Sequence, residues 1–432
     1  MKKQAPRVVI TGVGVVSPLG IGRQAYWDAL MANKSGVRAI SLFDASGLPI
    51  RIGGEITDFD AREYVDKKDR KSLKVMSRPI QMAVAAAALA LKDAHLDPAH
   101  VDPTRFGVEF GAGLIASELD ELGEAAAHSY DPERRRIDMT RWGEVGLSHM
   151  PPLWMLKYLP NMSACHISIL FNAQGPNNTI TESDVAPLLA LGEAWHILRR
   201  GHADVMLVGG TDSKINPLSL TRWSLFAQLT ERNDIPEEAC KPFDRHRDGI
   251  VPGEGAGVVV LETWDHARRR GAPIIAEMIG FGAACDAHLT GEGLARAVRA
   301  AMAQAGVAAH DLDHINAQGF ATREDDIWEA RGYCLAFGGI AQVPRVTALK
   351  GYFGCLGSGG AVVELIASLL ALLHGKVPAT RNYATPDPEC PLPVIAGAPQ
   401  DLVRPTFVKT ACTDMGQCAA AVIRRWETDG AL

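Results

Sequence analysis

Short apolar runs bounded by glycine alternate along this chain with longer stretches rich in alanine and leucine. Val8 to Thr11 reads as a buried strand running into a glycine-rich turn. Met76 to Ala94, with no proline after Pro79, reads as a buried helix, and Phe106 to Gly113 as a further strand. Thr179 to Thr181 is a strand end, Val185 to Arg200 a mostly apolar helix, and Asp204 to Gly210 a strand. A strand, helix, strand succession of this kind marks a parallel sheet.

The segment 115–160 breaks the pattern with SELDELGEAAAHSYDPERRRIDMTRW and then Pro151 and Pro152, so surface helices and loops over the core are expected there. A basic stretch from His266 to Gly271 reads as a solvated helix end where a first half would close. Ile274 to Phe281 opens a second strand series. Leu294 to Ala305 (helix), His314 to Ala317 (strand), Ala361 to His374 (helix) and Phe407 to Thr410 (strand) follow. In outline, residues 264–432 repeat residues 1–263, which predicts a duplicated α/β fold.

Composition narrows the function classes. The chain has 432 residues, 47% hydrophobic and 22% charged, with a formal net charge of −6. That length suits two packed halves. A weakly acidic chain without a sustained basic tract is a poor nucleic-acid binder. The eight cysteines are scattered with no CxxC pair, which predicts reduced thiols and no metal site. The opening MKKQAPRVVITGVGVVSPLG is too short and broken for a signal peptide or a membrane span, so a cytoplasmic protein is expected. Gly12-Val-Gly14 lacks the third glycine and distal acid of a dinucleotide fingerprint, and no cofactor is expected.

Several segments together resemble the β-ketoacyl-acyl carrier protein synthases, the elongating ketosynthases: VVITGVGVVSPLG, Leu159-Pro-Asn-Met162, Gly175-Pro176 and Ala203-Asp-Val-Met-Leu-Val-Gly-Gly210. Cys240-Lys-Pro-Phe-Asp-Arg-His-Arg-Asp-Gly249 and Gly253-Glu-Gly-Ala-Gly257 are the most characteristic. The resemblance implies a thiolase-like fold, with duplicated halves, mixed five-stranded sheets and αβαβα layering. It also implies a chemistry. A cysteine at the N-terminal end of a buried helix accepts the acyl chain, its thiolate favoured by the helix dipole. Two histidines stabilise the enolate left by loss of carbon dioxide, and a lysine and acidic residues hold them in place.

This chain departs from that pattern at each reacting position. At the family's spacing from Gly175-Pro176 the nucleophile position is Asp184, and the first histidine position, in Asn316-Ala317-Gln318-Gly319, is Gln318. The second, five residues after Lys350, is Cys355. Lys350, Asp326 and Glu329 match the supporting residues, and are expected to form one buried charge network. The family's phenylalanine-glycine gating loop is matched by a run containing Cys412, Thr413, Asp414, Met415 and Gly416, in which only Gly416 survives of the glycines.

Each position also has a plainer reading. Asp184 serves as a helix N-cap, with Ser183 able to substitute and Pro187 suited to the first turn. Gln318 plugs the pocket by hydrogen bonding, because an amide is a poor acid or base. Cys355 is inert packing. Lys67, Lys68, Arg70, Lys71 and Lys74 either meet an acidic acyl carrier protein or form a solvated face.

The resemblance implies a two-fold dimer, and the motif pattern is most similar to the cysteine-free partner in type II polyketide systems. That reading is a chain-length factor paired with an active ketosynthase and in contact with an acyl carrier protein. The alternatives are a malonyl decarboxylase, an altered enzyme using Asp184 as base or Cys355 or Cys412 as nucleophile, and a homodimeric non-catalytic scaffold.

Overall fold

The computed structural model describes residues 5–427. Ten strands and seven helices frame the interior. The strands are β1 (Val8–Ser17), β2 (Phe106–Ala112), β3 (Asn177–Ile180), β4 (Val205–Ser213), β5 (Glu254–Thr263), β6 (Ala276–Cys285), β7 (Leu312–Asn316), β8 (Arg345–Thr347), β9 (Thr406–Cys412) and β10 (Gln417–Arg425). The helices are α1 (Arg78–Asp93), α2 (Met162–Phe171), α3 (Ala186–Arg199), α4 (Pro217–Phe226), α5 (Glu292–Ala305), α6 (Arg323–Phe337) and α7 (Gly360–His374).

The sheet order is β8-β7-β9-β10-β6-β1-β5-β4-β2-β3. Apart from the two-residue strand Gly20–Ile21, which pairs with the end of β1, it consists of two five-stranded units joined by a short antiparallel pairing of Val8–Ile10 with Ala276–Met278. Outward from the join, each unit runs through its first, fifth, fourth, second and third strands. In each, the first two pairings are antiparallel and the last two parallel. The irregularities match as well, with a register shift between Ile10 and Gly12 in β1 and between Met278 and Gly280 in β6. The duplication expected from the sequence pattern is therefore present in topology.

Helix faces explain the layering. α3 and α7 pack between the two sheets in one core with Val13, Val15, Met206, Ala276, Phe407 and Ala421. α1 and α2 cover the outer face of the first sheet, and α5 and α6 that of the second. The result is αβαβα. The segment Gly357–His374 is long and apolar enough to cross a membrane, but 89% of it is buried inside the protein, because a middle-layer helix meets side chains all round. The outer helices approach closely. A Cβ on Gly14 would lie 1.9 Å from the carbonyl oxygen of Ala86 in α1, and one on Gly282 2.2 Å from that of Ala297 in α5. The Gly-Val-Gly run is thus a helix-packing device.

Between β2 and α2 the chain forms short helices at Leu119–Ser129, Met139–Glu144 and Trp154–Tyr158, with many exposed side chains. Lys67, Lys68, Lys71 and Lys74 are exposed, whereas Arg70 is half-buried and donates to the backbone carbonyls of Val65 and Arg62.

One buried acid should make folding pH-dependent. Burial and then the charge of Glu193 push Glu109 on β2 up from 4.5 to about 7. Its Oε2 has no partner among the described residues. The folded state thus holds this proton more tightly than the unfolded chain. Its stabilising contribution is complete below about pH 4.5 and is lost as pH rises through about 7. Glu109→Gln should therefore raise stability at pH 8 by about 2–3 kcal/mol and leave it unchanged at pH 4. Denaturation midpoints across that range check this.

Candidate active site and its buried charges

The family-matched residues converge where strands of both sheets end. β3 leads into the turn Ser183–Val185, which carries Asp184 immediately before α3. Gln318 follows β7, and Lys350 and Cys355 lie between β8 and α7. A cavity of about 530 Å³ opens beside them, with Asp184, Lys214, Trp223, Phe320 and Asp414 in its wall.

Asp184, matched by spacing to the family's nucleophile, is 7% exposed and does not cap α3. It instead accepts a hydrogen bond from the thiol of Cys355, Sγ to Oδ1 at 3.1 Å, and another from Ser183 Oγ at 3.1 Å. This corrects the N-cap reading for both Asp184 and Ser183. A buried donor, distant along the chain, takes the carboxylate oxygen in place of the helix N–H groups. Pro187 does occupy the first turn of α3. Burial, and then the Asp184 charge, push the Cys355 thiol far above its usual range. A thiol held this way is a donor and a poor nucleophile.

Gln318 does not plug the pocket by hydrogen bonding. Its backbone is engaged, the N–H donating to Glu329 Oε1 at 2.8 Å and the carbonyl accepting from Lys350 Nζ at 2.7 Å. The side chain is 1% exposed, yet both Oε1 and Nε2 lack partners among the described residues.

Among the described residues the supporting residues make no direct ion pair with one another; they act on one another through space and each binds its own partners. Lys350 pairs with Glu364 at 2.7 Å. Asp326 accepts from the backbone N–H groups of Phe243 and Ala321 and faces Arg247 at 3.5 Å. Burial pushes Asp326 up to about 8, against the pull of Arg247. Glu329 accepts from the N–H groups of Gln318 and Gly319 and from Tyr333. The two acids thus fix the backbone around Gln318, while the lysine finds its counter-charge on α7.

Glu364 is the group that motif matching passed over. It is fully buried and takes Lys350 on Oε1 and Lys409 on Oε2, the latter at 2.5 Å. Burial works against the charge on Lys350, but Glu364 holds its pKa above the usual lysine range. Lys409 is pulled below its usual value by burial, which outweighs Glu364 with Lys350 adding repulsion. Both members announced themselves as single charges inside apolar runs, Val362-Val363-Glu364-Leu365-Ile366 and Phe407-Val408-Lys409-Thr410-Ala411. Lys214 was likewise unforeseen. It is buried against Asp212 at 2.7 Å.

The loop matched to the family's gate is the β9–β10 hairpin turn. Cys412 and Thr413 are buried, while Asp414 and Met415 line the cavity. Burial, and then the charges of Asp184 and Asp325, raise Asp414. Cys412 is a poor nucleophile because burial pushes its thiol well up. No histidine lines the cavity, and no cluster of metal-ligating side chains occurs among the described residues.

Sequence-family comparison matches the β-ketoacyl synthase N-terminal domain to residues 5–267 and the C-terminal domain to residues 275–384. This chain belongs to the β-ketoacyl synthase family. The ketosynthase-like chain is 35% identical over 403 residues to 3-oxoacyl-[acyl-carrier-protein] synthase 2 of Synechocystis sp., covering 92% of each chain. It is 36% identical over 397 residues to a putative polyketide beta-ketoacyl synthase 1 of Streptomyces halstedii, covering 89% of this chain and 90% of that one. Among solved structures, the ishigamide ketosynthase/chain length factor superposes with a TM-score of 0.86 at 28% identity, covering 98% of this ketosynthase-like chain and 100% of that one. A type II PKS acyl-carrier protein in complex with its ketosynthase bound to the hexaketide gives a TM-score of 0.85 at 27% identity, with the same coverage.

Two expectations follow. Glu364→Ala leaves two buried ammonium groups without their carboxylate and should cost about 3–5 kcal/mol, read as a lowered denaturation midpoint. Asp184→Asn removes the charge that opposes ionisation of Cys355. Its alkylation by iodoacetamide in the native protein should then speed up several-fold at pH 8, read by peptide mass spectrometry.

Proposed function

We propose that this chain is a non-condensing ketosynthase-like subunit of the chain-length-factor kind. It pairs with an active ketosynthase, shapes the tunnel in which a chain grows, and works alongside an acyl carrier protein. The observation that carries this reading is the Asp184–Cys355 contact at 3.1 Å. A carboxylate occupies the acyl-acceptor position, and the thiol that meets it, Cys355, is locked as a donor. An acyl-aspartate would be a mixed anhydride, too readily hydrolysed to hold a growing chain. With Gln318 and Cys355 in place of two imidazoles, no group at those positions can deliver a positive charge to an enolate.

Surface features support pairing. β3 ends the sheet, and its outer edge has no strand beside it among the described residues. Nearby segments expose Leu114, Met155 and Ile169 at 63%, 60% and 73%. These are apolar side chains that a dimer interface would cover. The exposed lysines at 67, 68, 71 and 74 offer an acidic carrier protein a complementary surface.

The names of the relatives favour a second reading, a β-ketoacyl synthase working with rearranged groups. One experiment separates the two. Purified alone and given malonyl carrier protein, the chain should form no carbon–carbon bond and release no carbon dioxide. Co-expressed with its cognate ketosynthase, it should co-purify in equal amount and set product length. Carbon–carbon bond formation or carbon dioxide release by the isolated chain would sink the proposal.

A further inference from the structure

We infer that Cys412 and Cys418 are a modification site, a thiol pair that a small peroxide converts to a disulfide, stapling the hairpin whose turn walls the cavity. The two residues are direct cross-strand partners in the β9–β10 ladder. The turn between them sets their geometry. Thr413 N–H donates to Gln417 O at 2.9 Å, and Gly416 N–H donates to Thr413 O at 3.1 Å. With Gly416 at φ 88°, this is a three-residue hairpin loop closed by a glycine bulge. The Thr413–Gln417 pair is thus the narrow, hydrogen-bonded closure, and alternation makes Cys412–Cys418 the non-hydrogen-bonded pair below it.

Partners at such a position have Cα atoms about 4.5 Å apart, within the span of about 4.4–6.8 Å that a disulfide bridges. Both side chains point to the same face, into the core shared with Tyr333. Both are free thiols, and that of Cys418 donates to the carbonyl of Gly416 in the turn at 3.4 Å. The next residues along the loop, Asp414 and Met415, form part of the cavity wall. A cross-link one pair below the closure would fix the spacing of the strands that carry them.

The chemistry balances with a peroxide as oxidant. One sulfur attacks a peroxide oxygen, the O–O bond breaks, and a sulfenic acid and water form. The second sulfur attacks the sulfenic sulfur, the S–S bond forms, and the oxygen leaves as a second water. The thiols together lose two electrons and two protons, which the peroxide takes up. Both sulfurs are buried at 1% exposure, so only a small oxidant reaches them. Burial keeps Cys412 protonated, and conversion should quicken as pH rises.

The full-length protein, treated natively with hydrogen peroxide, is quenched, denatured in iodoacetamide and digested with trypsin without reductant. Thr410–Arg424 is one tryptic peptide holding both cysteines and the 72%-exposed Met415, whose sulfoxide reports exposure to oxidant. The expected product is that peptide two hydrogens lighter and unalkylated, with alkylation restored by dithiothreitol. Cys418→Ser should abolish the product and leave Cys412 alkylated. Two alkylated thiols after complete oxidation of Met415, or a disulfide from either cysteine to a third, would overturn the inference.

Discussion

One buried carboxylate sets the terms for the centre of this molecule. Glu364 lies on a middle-layer helix that is otherwise almost wholly apolar, and it holds two ammonium groups, Lys350 just after β8 and Lys409 from the middle of β9. Neither lysine could stay charged there without it, since an isolated ammonium in such surroundings costs several kcal/mol. Lys350 in turn holds the carbonyl of Gln318, and Lys409 reaches the carbonyl of Ala317 and the side chain of Asn316. The loop after β7 is therefore pinned from the Glu364 side by cations. Glu329 and Asp326 pin it from the α6 side by accepting its backbone N–H groups. The frame around the three family-matched positions is complete, and the groups set in it are an aspartate, a glutamine and a cysteine.

That combination explains why the interior remains ordered. A centre losing its purpose by drift would leave unpaired charges. Here Glu329 is triply bonded and Asp326 has two backbone donors. Asp184 has found a thiol. The exception is the Gln318 side chain, a buried amide with both ends free among the described residues. Leaving such a group unsatisfied costs about 1–3 kcal/mol.

Much of the architecture was legible in the order of apolar runs and glycines. The middle-layer helices and the second strand series fall where the pattern places them, because buried strands and helices need long apolar runs; the first strand instead runs on through Gly12 and Gly14 to Ser17, where a glycine-rich turn was expected after Thr11. The family motifs located Asp184, Gln318, Cys355 and Lys350, all at one cavity or beside it. Partners were less legible. Asp184 sits before a helix and reads as a cap, but a donor 171 positions away along the chain takes its oxygen. Lys350 was matched to acids on α6, whereas its counter-charge lies on α7. Local sequence reports backbone preference, while ion pairing in a duplicated fold is decided by which strand ends the topology brings together. The lone charges Glu364 and Lys409, each in an apolar run, were the available signal.

The central claim is that this subunit keeps a ketosynthase's frame without its acyl acceptor. Intact-protein mass spectrometry of the complex with its active ketosynthase, after loading from acyl carrier protein, tests it most directly. The account predicts an acyl adduct on the partner subunit alone and an unchanged mass for this chain. A stable acyl group on this chain, mapped to Cys355 or Cys412, would contradict it.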